Sequence, residues 1–253
     1  MQRHLITLVL PAILLLSACA PDTGHLIQKL KIKRHRATIP EKRSAADWWM
    51  KRNRILNERA KQADVELAFL GDSITEAWEK PGADALAKAF GTYKTAILGI
   101  GGDQTQHILW RVRNGHFKTI RPRLVILLAG TNNLQDTPQQ KVDGIIRIIQ
   151  EINKRTPETR ILLLGIFPRS HDPDNEQRLR NVETNKLLAE LDDGHLIHYR
   201  DIGNVFLQPD GSISREVMRD FLHLTPKGYQ LWAEAIADDV HVLMQTTPPQ
   251  TGD

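Results

Sequence analysis

The sequence predicts an α/β fold in which a parallel sheet is covered on both faces by helices, and three observations carry that prediction. Short apolar runs recur five times, at residues 65–70, 95–98, 124–129, 161–166 and 196–199. Apolar residues at helical spacing separate them, over 83–90, 104–112, 139–154 and 175–191. A parallel pair needs a crossover of about that length, so strands alternating with helices form a parallel sheet rather than hairpins. Finally, each of the first three runs ends in a polar turn containing glycine: Gly71-Asp72-Ser73, Gly99-Ile100-Gly101-Gly102-Asp103 and Gly130-Thr131-Asn132-Asn133. In an open parallel sheet these turns share one edge, where ligands bind.

In chain order, the N-terminus is a segment apart. Arg3 precedes an apolar stretch over 5–16, interrupted by Pro11, and the small residues Ser17, Ala18 and Ala20 surround Cys19. The stretch is too short to cross a bilayer comfortably and has the layout of a secretory signal. Leu16-Ser17-Ala18-Cys19 resembles the lipobox of bacterial lipoproteins. That resemblance implies a signal peptide over 1–18 and a lipidated Cys19 that anchors the mature chain to the membrane. Ala20 beside it implies the outer membrane of the cell envelope, on the periplasmic side. A plain signal peptide with a chance cysteine is the alternative. Cys19 is the only cysteine, so no disulfide forms within the chain.

Residues 19–43 are expected to form a basic tether. They contain Pro21, Gly24 and Pro40, lack a sustained helical period and are densely charged, which favours a solvated linker. Lys29, Lys31, Lys33, Arg34, Arg36, Lys42 and Arg43 face a single acid, Glu41, within 29–43; they exceed the formal net charge of +4, so the remainder is close to neutral. The basic balance therefore belongs to the arm and does not signal nucleic-acid binding. It would face solvent or anionic head groups.

The folded domain is expected over 44–245. Ala46, Trp49, Met50, Ile55, Leu56 and Ala60 form the stripe of a first helix that feeds the 65–70 strand. The last helix is signalled by Thr225 as cap, Pro226 at its first position, and Tyr229, Trp232, Ala233, Ile236, Val240 and Leu243 on one face. Residues 246–253 read as a disordered tail.

Acyl transfer by serine needs a nucleophile, a base, a group that orients the base, and donors for the oxyanion. Ser73, at a strand end, is the candidate nucleophile, although in isolation it also fits a helix cap. Among the ten histidines, His223 has Asp220 three residues before it, so a short turn can bring carboxylate and imidazole together as orienter and base. The oxyanion donors would be the Ser73 and Gly102 backbone N–H groups and the Asn132 amide. The dipole of a helix starting at Ser73 would favour the same negative charge. In isolation, Gly101-Gly102 also fits an ordinary strand-to-helix turn, and Asn132-Asn133 a cap or Asx-turn.

Taken together, Gly71-Asp72-Ser73, Gly101-Gly102-Asp103, Gly130-Thr131-Asn132 and Asp220-x-x-His223 resemble the four blocks of the SGNH, or GDSL-type, hydrolase superfamily. The stretch from Gly99 to Val112 and Gly130-Thr131-Asn132-Asn133 look most like the catalytic subunits of platelet-activating factor acetylhydrolase Ib and their bacterial relatives. The resemblance implies a flavodoxin-like three-layer α/β/α sandwich with a five-stranded parallel sheet. It also implies a serine esterase with no metal or other cofactor: Ser73, His223 and Asp220 catalytic, Ser73, Gly102 and Asn132 in the oxyanion hole. The secretion signal and basic arm fall outside the shared region and argue against a cytosolic lipid-mediator role.

Other motifs compete poorly. Gly99-x-Gly-Gly lacks dinucleotide spacing. Thr75 stands where Gly-x-Ser-x-Gly needs its second glycine, which argues against an α/β-hydrolase. Asp192, Asp193, His195 and His198 could be drawn as a metal cluster but surround Gly194 in a turn, which reads as a solvated loop. Trp78 and Trp110 read as core or rim packing rather than as an acyl pocket. The 204–219 loop is expected to shape the pocket. The expected substrate is an acetyl ester of envelope carbohydrate. A lysophospholipase or thioesterase and a non-catalytic glycan-binding module are the alternatives.

Overall fold

The computed structural model describes residues 24–246. The signal peptide, Cys19 and the tail beyond Thr246 lie outside the described residues. Five strands form one sheet: β1 (Leu67–Gly71), β2 (Thr95–Gly99), β3 (Leu124–Leu128), β4 (Arg160–Leu164) and β5 (Ile197–Arg200). All neighbours are parallel, in the flavodoxin-like order β2-β1-β3-β4-β5. Each expected strand is present, with ends shifted by one or two residues.

The central strands β1, β3 and β4 are apolar almost throughout because both faces are covered, whereas the edge strand β5, Ile-His-Tyr-Arg, is partly exposed. Side chains alternate between two cores. Ala68, Leu70, Val125, Leu127, Ile161 and Leu163 pack on one side, and Leu67, Phe69, Leu124, Ile126, Leu162 and Leu164 on the other. The first side is covered by α5 (Thr105–Asn114), α6 (Pro138–Arg155) and α7 (Glu176–Ala189), joined by α1 (Gly24–Lys29). The second is covered by α4 (Ala83–Phe90) and α8 (Pro226–Gln245), which pack together. On that second side Trp78 is fully buried in a ring cluster with Phe69, Phe90, Tyr229 and Trp232. It is core, as expected. Trp110 packs against Trp49, on α2 (Asp47–Gln62), 5.7 Å between ring centroids.

Register matters more than topology for the site. Gly71 is level with Gly99 on one side and Leu128 on the other, so β1, β2 and β3 end together. The chain reverses its direction of winding between β1 and β3, which opens a crevice at that edge. The three turns therefore meet there.

The 19–43 tether must be corrected from residue 24 onward. Ile27 is buried in the α5–α6 core, and Ala37 and Thr38 are buried in a 3₁₀ turn, Arg36–Thr38. Gln150 of α6 donates to the Ile27 and Leu30 carbonyls, Arg147 to that of Ile32, and His35 meets Asp143 at 3.0 Å. Thr105 Oγ1 donates to the Ala37 carbonyl and the Glu41 N–H to that of Gln106. The arm is a fixed strap on the first helical layer. Most of its charges, Lys31, Lys33, Arg34, Arg36 and Lys42 among them, project outward while isolated small and apolar residues dock, so composition alone suggests a linker.

Candidate active site

The nucleophile candidate sits where β1 turns into α3, a single turn spanning Ser73–Glu76. Asp72 is the N-cap, its Oδ1 accepting the Ile74 N–H at 3.0 Å. Ser73 is thus the first helical residue, and the cap is its neighbour. Gly71 admits no side chain: a Cβ there would lie 2.2 Å from Thr75 Oγ1 and 2.4 Å from the Leu128 carbonyl oxygen. One turn of helix sums few peptide dipoles, so the expected help from a helix dipole reduces to the free N–H groups themselves.

Ser73 Oγ lies 3.0 Å from His223 Nε2, and His223 Nδ1 lies 2.7 Å from Asp220 Oδ2. The second carboxylate oxygen accepts the His223 N–H at 2.7 Å and the Leu222 N–H at 3.2 Å. This closes the Asp-x-x-His turn expected from the spacing. Phe221 inside it adopts φ +61°, a left-handed conformation costing a residue with a Cβ about 1–2 kcal/mol. Its carbonyl accepts the Ser170 N–H, Arg215 lies over its ring at 4.6 Å, and His171 packs edge-on. Burial raises the Asp220 carboxyl, but the His223 N–H and ring and the Leu222 N–H outweigh it and hold the group below the usual carboxylate value. Asp220 therefore stays ionised, as an orienting carboxylate must.

Gly102 has φ +70°, the conformation that favours glycine. Among the described residues no protein acceptor faces the Ser73 or Gly102 backbone N–H, so both are free for a ligand oxygen. Asn132 is placed differently from a free donor. Its Nδ2 donates to the Asp103 carbonyl at 3.0 Å and to Asp72 Oδ2 at 3.3 Å. Asn133 is fully buried and ties α5 to the β3 turn: its Oδ1 accepts the Thr105 N–H and its Nδ2 donates to Asp136.

A layer of buried charge lies under these groups. Arg111 is completely buried; its Nε donates to Asp103 at 2.7 Å, Nη1 to the Leu98 carbonyl and Nη2 to the Gly71 carbonyl. One side chain thereby links the ends of β1 and β2. Trp49 Nε1 donates to the other Asp103 oxygen at 2.6 Å. Burial pushes the Asp72 carboxyl up to about 7, with Asp103 acting in the same sense and the Ile74 N–H, Arg111 and Arg169 opposing. Burial likewise raises Asp103, against Arg111 and Trp49. None of Arg111, Asp72, Asp103 or Arg169 was expected to serve the site. A fully charged residue on the apolar stripe of α5 was the one sequence signal for Arg111.

Beside Asp220 opens a cavity of about 550 Å³ lined by Arg169, Ser170, His171, Asn175, Gln177 and Phe221, among others. The expected 204–219 loop does not line it. That loop packs inward through Phe206, Ile213 and Met218 and touches the cavity wall through Arg215 on Phe221. Asp192 and Asp193 accept the Gly194 and His195 backbone N–H groups of their own turn, and Asp192 also that of Tyr199 in β5, as expected of a loop rather than a metal cluster. No group of three or more metal-ligating side chains occurs among the described residues.

Residues 69–231 match the GDSL-like lipase/acylhydrolase family. The chain belongs to that family. It is 36% identical over 182 residues to the human platelet-activating factor acetylhydrolase IB subunit alpha1, covering 72% of this chain and 78% of that protein. It is 33% identical over 205 residues to the rat alpha2 subunit, covering 81% and 88%. Among solved structures, a GDSL-like lipase from Bacteroides thetaiotaomicron matches with TM-score 0.60 at 17% identity, over 77% of this chain and 96% of that one. The three-layer α/β/α sandwich is thus that of the GDSL hydrolases, and the protein is a carboxylic ester hydrolase.

Proposed function

We propose that this esterase removes short acyl groups, acetyl first among them, from O-acetylated carbohydrate through a Ser73–His223–Asp220 acyl-enzyme mechanism. The observation that carries it is the unbroken relay from Ser73 Oγ through both imidazole nitrogens to Asp220, at 3.0 and 2.7 Å. His223 Nε2 takes the Ser73 proton as Oγ attacks the ester carbonyl carbon. The imidazolium, stabilised by Asp220, returns that proton to the departing alkoxide. Water then attacks the acyl-enzyme with the same base, releasing the acid and restoring Ser73.

The oxyanion would lie on the Ser73 and Gly102 N–H groups, with Asn132 as third donor. Both Asn132 amide hydrogens are engaged in the free protein. The 3.3 Å contact to Asp72 is the longer, and it is the one an oxyanion would share or replace. An acetyl group is favoured by the relatives, which are named acetylhydrolases. A polyhydroxylated alcohol part is favoured by the hydrogen-bonding groups of the neighbouring cavity, whose wall carries Arg169, Ser170, His171, Asn175 and Gln177 beside the apolar Phe221 and Leu222. The lipobox-like Cys19 supports a site of action at the cell envelope, reached by a lipid-anchored protein.

Acetate release from acetylated oligosaccharides and from acetyl phospholipids, wild type beside Ser73→Ala, tests the reading. Release from the oligosaccharides that disappears in the variant is expected. Equal release by Ser73→Ala removes the mechanism, and preference for octanoyl over acetyl esters removes the short-acyl reading in favour of a lysophospholipase or thioesterase.

A further inference from the structure

Gly101 and Gly102 share one peptide unit: the Gly101 carbonyl and the Gly102 N–H are its two polar ends, held in one plane and pointing in opposite directions. Glycine on both sides leaves that plane free to rotate, since no Cβ restrains it. A donor preorganised for an oxyanion cannot rotate, because reorganisation at the moment of reaction would cost the stabilisation it provides. Something must therefore hold the carbonyl end.

Arg43 does so. Its Nη1 donates to the Gly101 carbonyl oxygen at 3.0 Å. A Cβ built on Gly102 would lie 3.2 Å from the same Nη1, so the guanidinium covers the back of this peptide. Arg43 is itself fixed from two sides: Asp103 Oδ1 is 3.7 Å away, and the guanidinium lies over the Trp48 ring at 5.0 Å. The preceding peptide is held separately, the Gly101 N–H donating to Glu76 Oε2 at 2.7 Å, and Glu76 closes the helical turn that begins with Ser73. Arg43 stands at the end of the strap, whose docking on α5 and α6 brings it to the site.

We infer that Arg43 is a positioning residue for ester hydrolysis: its hydrogen bond to the Gly101 carbonyl aims the Gly102 N–H at the oxyanion and strengthens it as a donor. The strengthening follows because a charged donor on the carbonyl polarises the whole peptide unit. The strap is then part of the active-site machinery. This rests on the proposed oxyanion role of Gly102, and it needs no contact between Arg43 and substrate.

The test compares wild type, Arg43→Ala and Arg43→Lys on 4-nitrophenyl acetate, with Ser73→Ala as the control for the mechanism itself. Arg43→Ala is expected to keep its circular dichroism spectrum and its KM within about twofold, and to lose about tenfold to a hundredfold in kcat, less than removal of a whole oxyanion donor. Arg43→Lys recovers part of the loss. Added guanidinium chloride, kept below the concentration that unfolds the protein, restores activity to the alanine variant and not to wild type, which a merely structural role would not produce. An unchanged kcat in a folded Arg43→Ala, or a loss confined to KM, overturns the inference while leaving Ser73 in place. If the alanine variant loses the fold, Arg43→Lys is decisive: lower kcat at unchanged KM supports the role, and wild-type kcat overturns it. Activity surviving in Ser73→Ala would instead bring down the underlying mechanism.

Discussion

Replacing Arg111 by methionine separates stability from chemistry at this edge. The side chain and its partner Asp103 are both fully inaccessible, 2.7 Å apart. Removing the cation leaves a buried carboxylate with Trp49 and the more distant Arg43, and takes a donor from the Gly71 and Leu98 carbonyls. Breaking a buried pair from one side costs about 3–5 kcal/mol, a large share of the roughly 5–15 kcal/mol that holds a domain folded. The cost depends on pH. Burial already raises Asp103, and Arg111 is the first group opposing that. Without it the folded-state value rises further above the unfolded one, so the folded variant holds a proton that the unfolded chain has lost. Its stability then falls as pH rises. Urea unfolding at pH 5 and pH 8 should show a deficit of about 3–5 kcal/mol at the higher pH and a smaller one at the lower. Changing Asp103 to leucine in the same protein should return part of it. A deficit below about 1 kcal/mol at pH 8, or one as large at pH 5, would refute the account of Arg111 as an unscreened buried charge.

Three further outcomes are expected. Asp220→Asn keeps the acceptor for the His223 N–H but fixes the wrong tautomer, lowering kcat about 10²–10⁴-fold; the lower end applies because the carboxylate is half exposed, and a loss under tenfold on 4-nitrophenyl acetate contradicts the relay. Burial, with Arg43, Arg36 and Arg111 nearby, pushes His107 down to about 4, so between pH 6.5 and 4 the unfolded chain binds a proton the folded one does not; stability falls with pH over that window by about 3 kcal/mol, and His107→Gln should remove that much of the acid slope in urea titrations. Gly144→Ala on α6 gains about 1 kcal/mol of helix propensity, but its Cβ would sit 2.5 Å from Thr105 Oγ1 and 2.9 Å from the Ala37 carbonyl oxygen; overpacking costs about 1–3 kcal/mol, and a thermal midpoint at or above wild type would show that the strap is not docked there.

The sheet was legible because its signal is local. An apolar run such as Leu124-Val125-Ile126-Leu127-Leu128 has few alternatives to a strand buried on both faces. The Asp220–His223 turn was legible for the same reason, since three residues suffice to close it. Asn132 was legible in place but not in state: nothing at 132 indicates that Asp72 and the Asp103 carbonyl already hold its amide. The strap was illegible because its anchors are single residues, Ile27, Ala37 and Thr38, scattered among charges. Gln150, which holds the Ile27 carbonyl, and Asp143, which meets His35, lie more than a hundred positions away in the chain. The ties to backbone carbonyls leave no trace at all, because every residue has a carbonyl.

That last point explains why so many charges gather under a site whose motifs are mostly glycine. Glycine at 71, 99, 101 and 102 lets strand ends and substrate approach closely, but a backbone without side chains cannot be held by packing. It can be held through its peptide groups. Arg111 takes the Gly71 and Leu98 carbonyls, Arg52 the Gly99 carbonyl, Arg43 the Gly101 carbonyl, and Glu76 the Gly101 N–H. Charged donors and acceptors suit this work because their hydrogen bonds are about twice as strong as neutral ones and directional. Asp103 and Glu79 then balance the arginines, which is why acids and bases interleave along the edge. The peptide N–H groups left over after these ties, at Ser73 and Gly102, are the ones the proposed mechanism assigns to the oxyanion.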